Sequence, residues 1–185
     1  MVKPVNPRWD RVATRYDRAS DRIERLTIGD SRAWVGGRAA GRTLEVAAGT
    51  GRNLDHYPAG VVLTMLDASP GMLAVARGKV GPDVALVEGT AEKLPFGDAE
   101  FDTVVCTMAV CAVADRAATI AEMWRVLRPG GRLLLLDHLE PRWLRGRPAT
   151  LAVRQGFRAV RRERLRLGVI ERFEAIKDGG VKGGP

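Results

Sequence analysis

Cysteine and histidine are both scarce in this 185-residue chain, with two of each. Cys106 and Cys111 sit in one apolar stretch, so the pattern supports neither a disulfide framework nor a zinc cage, and no metal site is expected. No apolar run reaches the roughly 18 residues that a membrane-spanning helix needs. The opening stretch, MVKPVNPRWDRV, lacks the apolar core of a signal peptide, so the chain reads as a reduced, cytoplasmic protein. Internal repeats are absent. Acids are outnumbered, 22 against 30 Lys and Arg, for a formal charge of +8. The excess is uneven: between Arg142 and Arg166 nine arginines accompany a single acid, Glu163. Such a segment suits an anionic membrane face, a nucleic acid or an acidic substrate, and equally a solvated arginine-rich surface.

What is present is a globular pattern. Apolar residues make up 45% of a chain long enough for one sizeable core and too short for two. Short, nearly continuous apolar runs (RTLEVA, VVLTMLD, VALVEG, FDTVVCTM, GRLLLLD) alternate with helical patterns, as in a parallel α/β sheet covered on both faces. Ser69 and Pro70 read as the N-cap and first turn of a helix that Gly78 closes. Asp115 caps a second helix, with Ile120, Met123, Trp124 and Leu127 at helical spacing and RPGG as its stop. Trp9, Val12 and Tyr16, then Ile23 and Leu26, mark amphipathic helices ahead of the first strand. FRAVRRERLRLGVIERFEAIK reads as an antiparallel hairpin turning around Gly168.

The chemistry is expected in LEVAAGTGRN, residues 44–53, a glycine-rich turn straight after a strand. A phosphate-binding P-loop would end in Gly-Lys-Ser/Thr, but Gly51 is followed by Arg52 and Asn53. A dinucleotide fingerprint needs a third glycine for close helix packing, and Leu54 occupies that place. What remains is a tight turn that lets a ligand lie against bare backbone. The second strand ends in Asp67, where a carboxylate can accept both hydroxyls of a ribose.

LEVAAGTGRNL, MLDASPGML, EGTAEKLPFGDAEFDTVVC and EMWRVLRPGGRLLLLDH occur in that order. Together they resemble the motifs of the class I S-adenosylmethionine-dependent methyltransferases. More narrowly, the chain is similar to the branch holding ubiquinone/menaquinone-biosynthesis enzymes and bacterial phosphatidylethanolamine N-methyltransferases. The resemblance runs from about Tyr16 to Leu139, with an echo in the hairpin. It implies an α/β fold, a Rossmann-like three-layer sandwich. Its sheet is mostly parallel and seven-stranded, order 3-2-1-4-5-7-6, with an antiparallel C-terminal hairpin. A single domain, 1–178, would comprise N-terminal helices at 8–40, a cofactor-binding core at 42–138, and a short acceptor-side helix and hairpin at 139–178. A disordered tail, 179–185, would follow.

The implied cofactor is S-adenosyl-L-methionine, leaving as S-adenosyl-L-homocysteine. Carried over from the family, Gly49 and Gly51 admit its methionine part to the backbone, beside Ala47 and Asn53. Glu45 helps fix the amino end and Asp67 holds the ribose. Ala68 and Met72 border the adenine, and Thr90 and Ala91 bond its edge. Cys106 and Thr107 line the sulfonium side, and Tyr16 closes over the site. Two positions depart from the family pattern: Ala47 stands where a glycine is common, and Thr90 where an Asp usually accepts from the adenine amino group. A neutral acceptor gives up charge assistance worth about 1 kcal/mol, which predicts weaker cofactor binding.

In-line methyl transfer demands positioning more than acid–base machinery. If a base is needed, Asp137 and His138 at the carboxyl end of the fifth strand are the expected catalytic residues. CTMAVC after the fourth strand lacks the Asp/Asn-Pro-Pro-aromatic turn usual in amino-base methylation, which disfavours that acceptor. The expected acceptor is a small molecule or lipid head group bearing an amine, thiol or hydroxyl, with RNA as the alternative on charge. The 142–166 region and the N-terminal helix would touch an anionic membrane, giving a cytoplasmic protein peripheral to it. The interval from His138 to Pro148 is short for the family. That leaves room for a homodimer completing the acceptor site, or for a cofactor-binding protein that transfers nothing.

Overall fold

The structure, a computed structural model, describes residues 8–138, 147–165 and 169–179. Two helices, α1 (Arg8–Thr27) and α2 (Ser31–Gly36), precede the sheet. Strands β1 (Arg42–Val46), β2 (Val62–Asp67), β3 (Ala85–Glu88), β4 (Phe101–Thr107) and β5 (Leu127–His138) follow. Helix α3 (Pro70–Arg77) joins β2 to β3, and α4 (Arg116–Val126) joins β4 to β5. Helix α5 (Pro148–Gln155) leads into β6 (Phe157–Leu165) and β7 (Ile170–Lys177). The sheet has seven strands in the order β3-β2-β1-β4-β5-β7-β6. β7 is antiparallel to both β5 and β6, and the inner pairs are parallel. This is the expected Rossmann-like α/β architecture. The hairpin turn around Gly168 and the tail from 180 lie outside the described residues.

Strand alternation sorts the core into two layers. Leu66, Val46, Cys106, Leu135 and Phe173 stand in register across the sheet and pack under Ile120, Met123 and Val126 of α4 and Ala149 and Ala152 of α5. One residue earlier, Met65, Glu45, Val105 and Leu134 face the other side. There Trp34 and Val35 of α2 cover Val105 and Leu134, and Ala76 of α3 covers Met65. Each large apolar side chain so buried contributes about 1.5–3 kcal/mol. An acid, Glu45, thus stands between Met65 and Val105, and the row reaches a second acid, Glu174, beyond Leu134.

The helix signals act as read. The Ser69 hydroxyl accepts from Met72 N at 3.1 Å, and the Asp115 carboxylate from Ala118 N at 2.9 Å. RPGG behaves differently from its expected role as a helix stop. α4 ends at Val126 and the chain turns straight into β5, with RPGG inside the strand where its pairing to β4 slips between Phe101 and Thr103. Gly130, at φ +77°, supplies the left-handed kink.

A second difference concerns α1. It is one 20-residue helix, but Ile23 and Leu26 are 63% and 68% exposed rather than packed. Its inward row is acidic. Asp10 accepts from Ser69 Oγ at 2.5 Å and Gly71 N at 2.9 Å. Asp17 accepts from Thr50 Oγ1 at 2.6 Å and Lys79 Nζ at 2.5 Å. Asp21 and Glu24 take the Arg52 guanidinium at 2.8 and 3.1 Å. Polar bonds at positions 10, 17, 21 and 24 fix the helix face, so the apolar pair at 23 and 26 is rotated away from the core.

Candidate active site

β1 and β4 are the two strands from which the chain departs in opposite directions along the sheet, and a cleft of about 370 Å³ opens at their carboxyl ends. Its floor is the turn after β1. Three residues there are left-handed, Ala47 at φ +54°, Gly49 at +59° and Gly51 at +80°, which reverses the chain within a few residues. The two glycines do different work. A Cβ on Gly49 meets nothing within 4 Å and would stand over the cleft floor. A Cβ on Gly51 would lie 2.8 Å from Leu54 Cδ1, and Gly51 is not among the lining residues.

Asp67, at the tip of β2, accepts from Gly49 N and Ser69 N, each at 2.8 Å. Burial raises its carboxyl above the usual range, against the pull of those amides. Two of about four lone-pair positions are thereby used, leaving two for a diol. Met72 from α3, and Thr90 and Ala91 after β3, form the neighbouring wall. Trp9 and Tyr16 of α1, in edge contact at 6.0 Å, roof the cleft.

Beneath the floor lies a closed polar network. Glu45, 1% exposed, accepts from Asn53 Nδ2 at 2.8 Å and Tyr57 Oη at 2.9 Å. Burial dominates and pushes its carboxyl up to about 7, against those hydrogen bonds and the nearby Arg32 charge. Asn53 also donates to Thr107 Oγ1 at 2.9 Å and accepts from Arg32 Nη1 at 2.8 Å. Arg32 is gripped by Glu24 at 2.7 and 2.8 Å and reaches the cleft wall.

The opposite wall is apolar. Met108, at φ +57°, Ala109, Ala112 and Val113 line it after β4. The turn is tied to β5 through Met108 N on Leu136 O at 2.6 Å and Cys111 N on Asp137 Oδ2 at 3.0 Å.

Of the residues expected in the site, Tyr16, Ala47, Gly49, Asp67, Ala68, Met72, Thr90, Ala91 and Thr107 line the cleft. Glu45 and Asn53 lie one layer behind, with both Glu45 oxygens already bonded. Cys106 does not line it. Parity along β4 turns it into the core under α4, where burial, with the charges of Asp137 and Glu45, raises its thiol well above the usual value. Asp137 and His138 are also outside the cleft. The buried Asp137 carboxylate, raised by burial, accepts from the amides of Cys111 and His138, while His138 is exposed. Asp137 therefore positions the Met108–Cys111 turn. Cys111, Asp137 and His138 bring one ligand atom each within 4.8 Å of one another, but the carboxylate is committed to those amides.

Sequence reasoning missed Trp9, Arg32, Arg52 and the 108–113 wall. Arg52 lies within the glycine-turn motif, but its partners on α1 are about 30 residues away, and Arg32 belongs to no motif and is held by Glu24.

A glycine-turn floor, a carboxylate at the end of β2 and a switch-point cleft define a nucleoside-binding α/β enzyme fold, and the lining fits an adenosyl-methionine. Open space over Gly49, the free lone pairs of Asp67 and a cationic Arg32 at the methionine end supply the matching chemistry. Residues 44–135 match the methyltransferase-domain family. The chain belongs to the class I S-adenosylmethionine-dependent methyltransferases, whose cofactor is S-adenosyl-L-methionine. It is 38% identical over 143 residues to a demethylmenaquinone methyltransferase of Beutenbergia cavernae, covering 73% of this chain and 58% of that one. It is 35% identical over 150 residues to a ubiquinone/menaquinone biosynthesis C-methyltransferase of Hahella chejuensis, covering 72% and 59%. The chain thus spans under two thirds of the length of these curated relatives. Among solved structures, a Haloferax volcanii methyltransferase in complex with the Trm112 activator superposes with a TM-score of 0.79 at 18% identity. That match covers 94% of this chain and 99% of that one. A Thermotoga maritima S-adenosylmethionine-dependent methyltransferase gives 0.69 at 20% identity, covering 92% and 98%. At these identities the structural matches speak for the fold.

Proposed function

We propose that the chain transfers the methyl group of S-adenosylmethionine to a ring carbon of an apolar, quinol-type small molecule. The observation that carries this reading is the division of one cleft. Around its floor and β2 side Asp67, Thr50, Thr90 and Arg32 supply polar groups among small residues, while the wall formed by Met108, Ala109, Ala112 and Val113 is apolar. One relative is named a demethylmenaquinone methyltransferase and another a C-methyltransferase of ubiquinone/menaquinone biosynthesis, which favours carbon over nitrogen, sulfur or oxygen as the acceptor atom.

When bound, the sulfonium cofactor supplies an electrophilic methyl with a neutral thioether as leaving group. Asp67 fixes the ribose, and the Gly49 backbone lets the methionine part lie flat. Thr107 and the Asn53–Arg32 pair behind it hold the end nearest the reacting centre. The apolar wall presses a flat ring toward the methyl and excludes water, which is the positioning in-line transfer needs. The balance is simple: a ring C–C bond forms, the sulfur–methyl bond breaks, and the ring carbon loses one proton to solvent at the cleft mouth.

Among the described residues of the arginine-rich 142–166 segment, four arginines already have acidic partners. Residues 142–146 and 166 lie outside the described residues, and on β6 Arg158, Arg161, Arg162 and Arg164 pair with Asp178, Glu163 and Glu171. Cys106 and Cys111 are both unpaired thiols.

The test offers the full chain a short-chain demethylated naphthoquinol, phosphatidylethanolamine vesicles, a small thiol and transfer RNA, each with the cofactor. Homocysteine-product formation with a C-methylated naphthoquinol is expected. Turnover on the head group or the RNA alone would replace this acceptor. Saturable cofactor binding with no turnover on any acceptor would make the chain a binding protein.

A further inference from the structure

The outer face of α1 has no counterpart in the cofactor chemistry. Arg15, Arg18 and Arg25 recur on one side of the helix at three- and seven-residue steps, all exposed, and Arg8 and Arg11 continue the row. Among the described residues no hydrogen bond or ion pair holds Arg15, Arg18 or Arg25, because the acids of this helix are all turned inward onto Ser69, Lys79, Arg52 and Arg32. Beside the row stand Ile23 and Leu26, the two most exposed large apolar side chains among the described residues, at 63% and 68%. The adjoining face carries Trp9 and Tyr16, which roof the cleft.

We infer that this face of α1 docks on an anionic lipid bilayer. A helix of 20 residues is about 30 Å long and can lie flat in the head-group region, with Ile23 and Leu26 dipping inward and the arginines meeting lipid phosphates. The apolar pair decides between partners. A nucleic-acid backbone would use the arginines and leave Ile23 and Leu26 in water, whereas a bilayer uses both. Lying face-down, α1 brings the cleft mouth to the surface from which a lipid-soluble acceptor would enter. The docking surface itself rests on α1 alone, not on the identity of the acceptor.

Sedimentation of the full chain with vesicles tests it without any turnover. Binding to phosphatidylcholine vesicles containing phosphatidylglycerol is expected, with little binding to phosphatidylcholine alone. It should weaken in about 0.5 M salt, where screening is short-ranged. Each arginine near an anionic surface is worth about fivefold in affinity, so Arg15→Gln/Arg18→Gln/Arg25→Gln should lose roughly a hundredfold. Ile23→Ser/Leu26→Ser should lose about tenfold or more. Both variants should keep helix content and cofactor affinity, since neither set includes the inward acids of α1 or a residue lining the cleft. Unchanged vesicle binding in either variant overturns the proposal. So does a chain that binds duplex RNA with the same dependence on the arginines and none on Ile23 and Leu26.

Discussion

Glu45 pays a stability penalty at neutral pH that a single atom exchange should remove. Its carboxyl is fully enclosed in the middle of the sheet, and its value is raised from an ordinary 4.5 to about 7. A raised carboxyl binds its proton more tightly folded than unfolded. Stability is therefore greatest below about pH 4.5 and declines as pH rises through 7. That rise is worth about 3 kcal/mol, lost between about pH 4.5 and 7. Glu45→Gln abolishes the titration. Its carbonyl can accept from Asn53 as Oε1 does now, and its amide can donate to the Tyr57 oxygen, as the protonated acid would. Urea unfolding of both proteins across pH 5–8 should show near-equal stability at pH 5. The variant should lead by about 3 kcal/mol at pH 8, or roughly 6–12 °C in Tm for a chain of this size. Because Asp67 and Asp137 are raised in both proteins, the difference between the two curves isolates Glu45. Parallel curves, with the same slope in wild type and variant, would show that Glu45 is ionised throughout and that its partners outweigh burial.

Three further outcomes follow from the cleft. Asp67→Ala should weaken S-adenosylmethionine binding by roughly 1.5–3 kcal/mol in calorimetric titration, since a buried acceptor of two hydroxyls is lost. Gly49→Ala and Gly51→Ala should separate function from packing. The first puts a methyl over the cleft floor and should impair cofactor binding with about 1 kcal/mol of backbone strain. The second drives a methyl against Leu54 and should lower Tm more than affinity. Thr90→Asp should tighten the cofactor by about 1 kcal/mol through a charge-assisted bond to the adenine amino group, and unchanged affinity would remove position 90 from that contact.

The strands were legible because each is a short apolar run bounded by turn residues, and their order followed from motifs that resemble a known family. The cleft was legible wherever a local signal marked it: a glycine-rich turn, an acid at a strand end, a capped helix. What escaped depended on facts that sequence spacing does not carry. Cys106 and Thr107 are neighbours, and only the parity of β4 decides that Thr107 meets the cleft while Cys106 enters the core. Asp137 resembles a catalytic carboxylate at a strand end, yet two backbone amides claim it. For α1, hydrophobic periodicity placed Trp9 and Tyr16 inward but misplaced Ile23 and Leu26, because acids hold the last turns of the helix to the body.

That inversion has a consequence for how the site opens. A roof held by apolar burial would close at a free energy set by buried area and indifferent to salt. The roof over this cleft is held through Asp10, Asp17, Asp21 and Glu24 on Ser69, Thr50, Lys79, Arg52 and Arg32, in a partly solvated seam. Arg52 alone joins three of those acids, and it extends from the same turn that floors the cleft. Partly exposed ion pairs are individually worth about 1 kcal/mol or less and are screened by salt. Raising the salt should therefore loosen α1 before the sheet, which amide hydrogen exchange along residues 8–27 checks. Floor and roof share Arg52, so a ligand that orders the glycine turn also settles the helix above it. Cofactor should then slow exchange along α1, and an exchange rate unchanged by cofactor would show that closure and binding are separate.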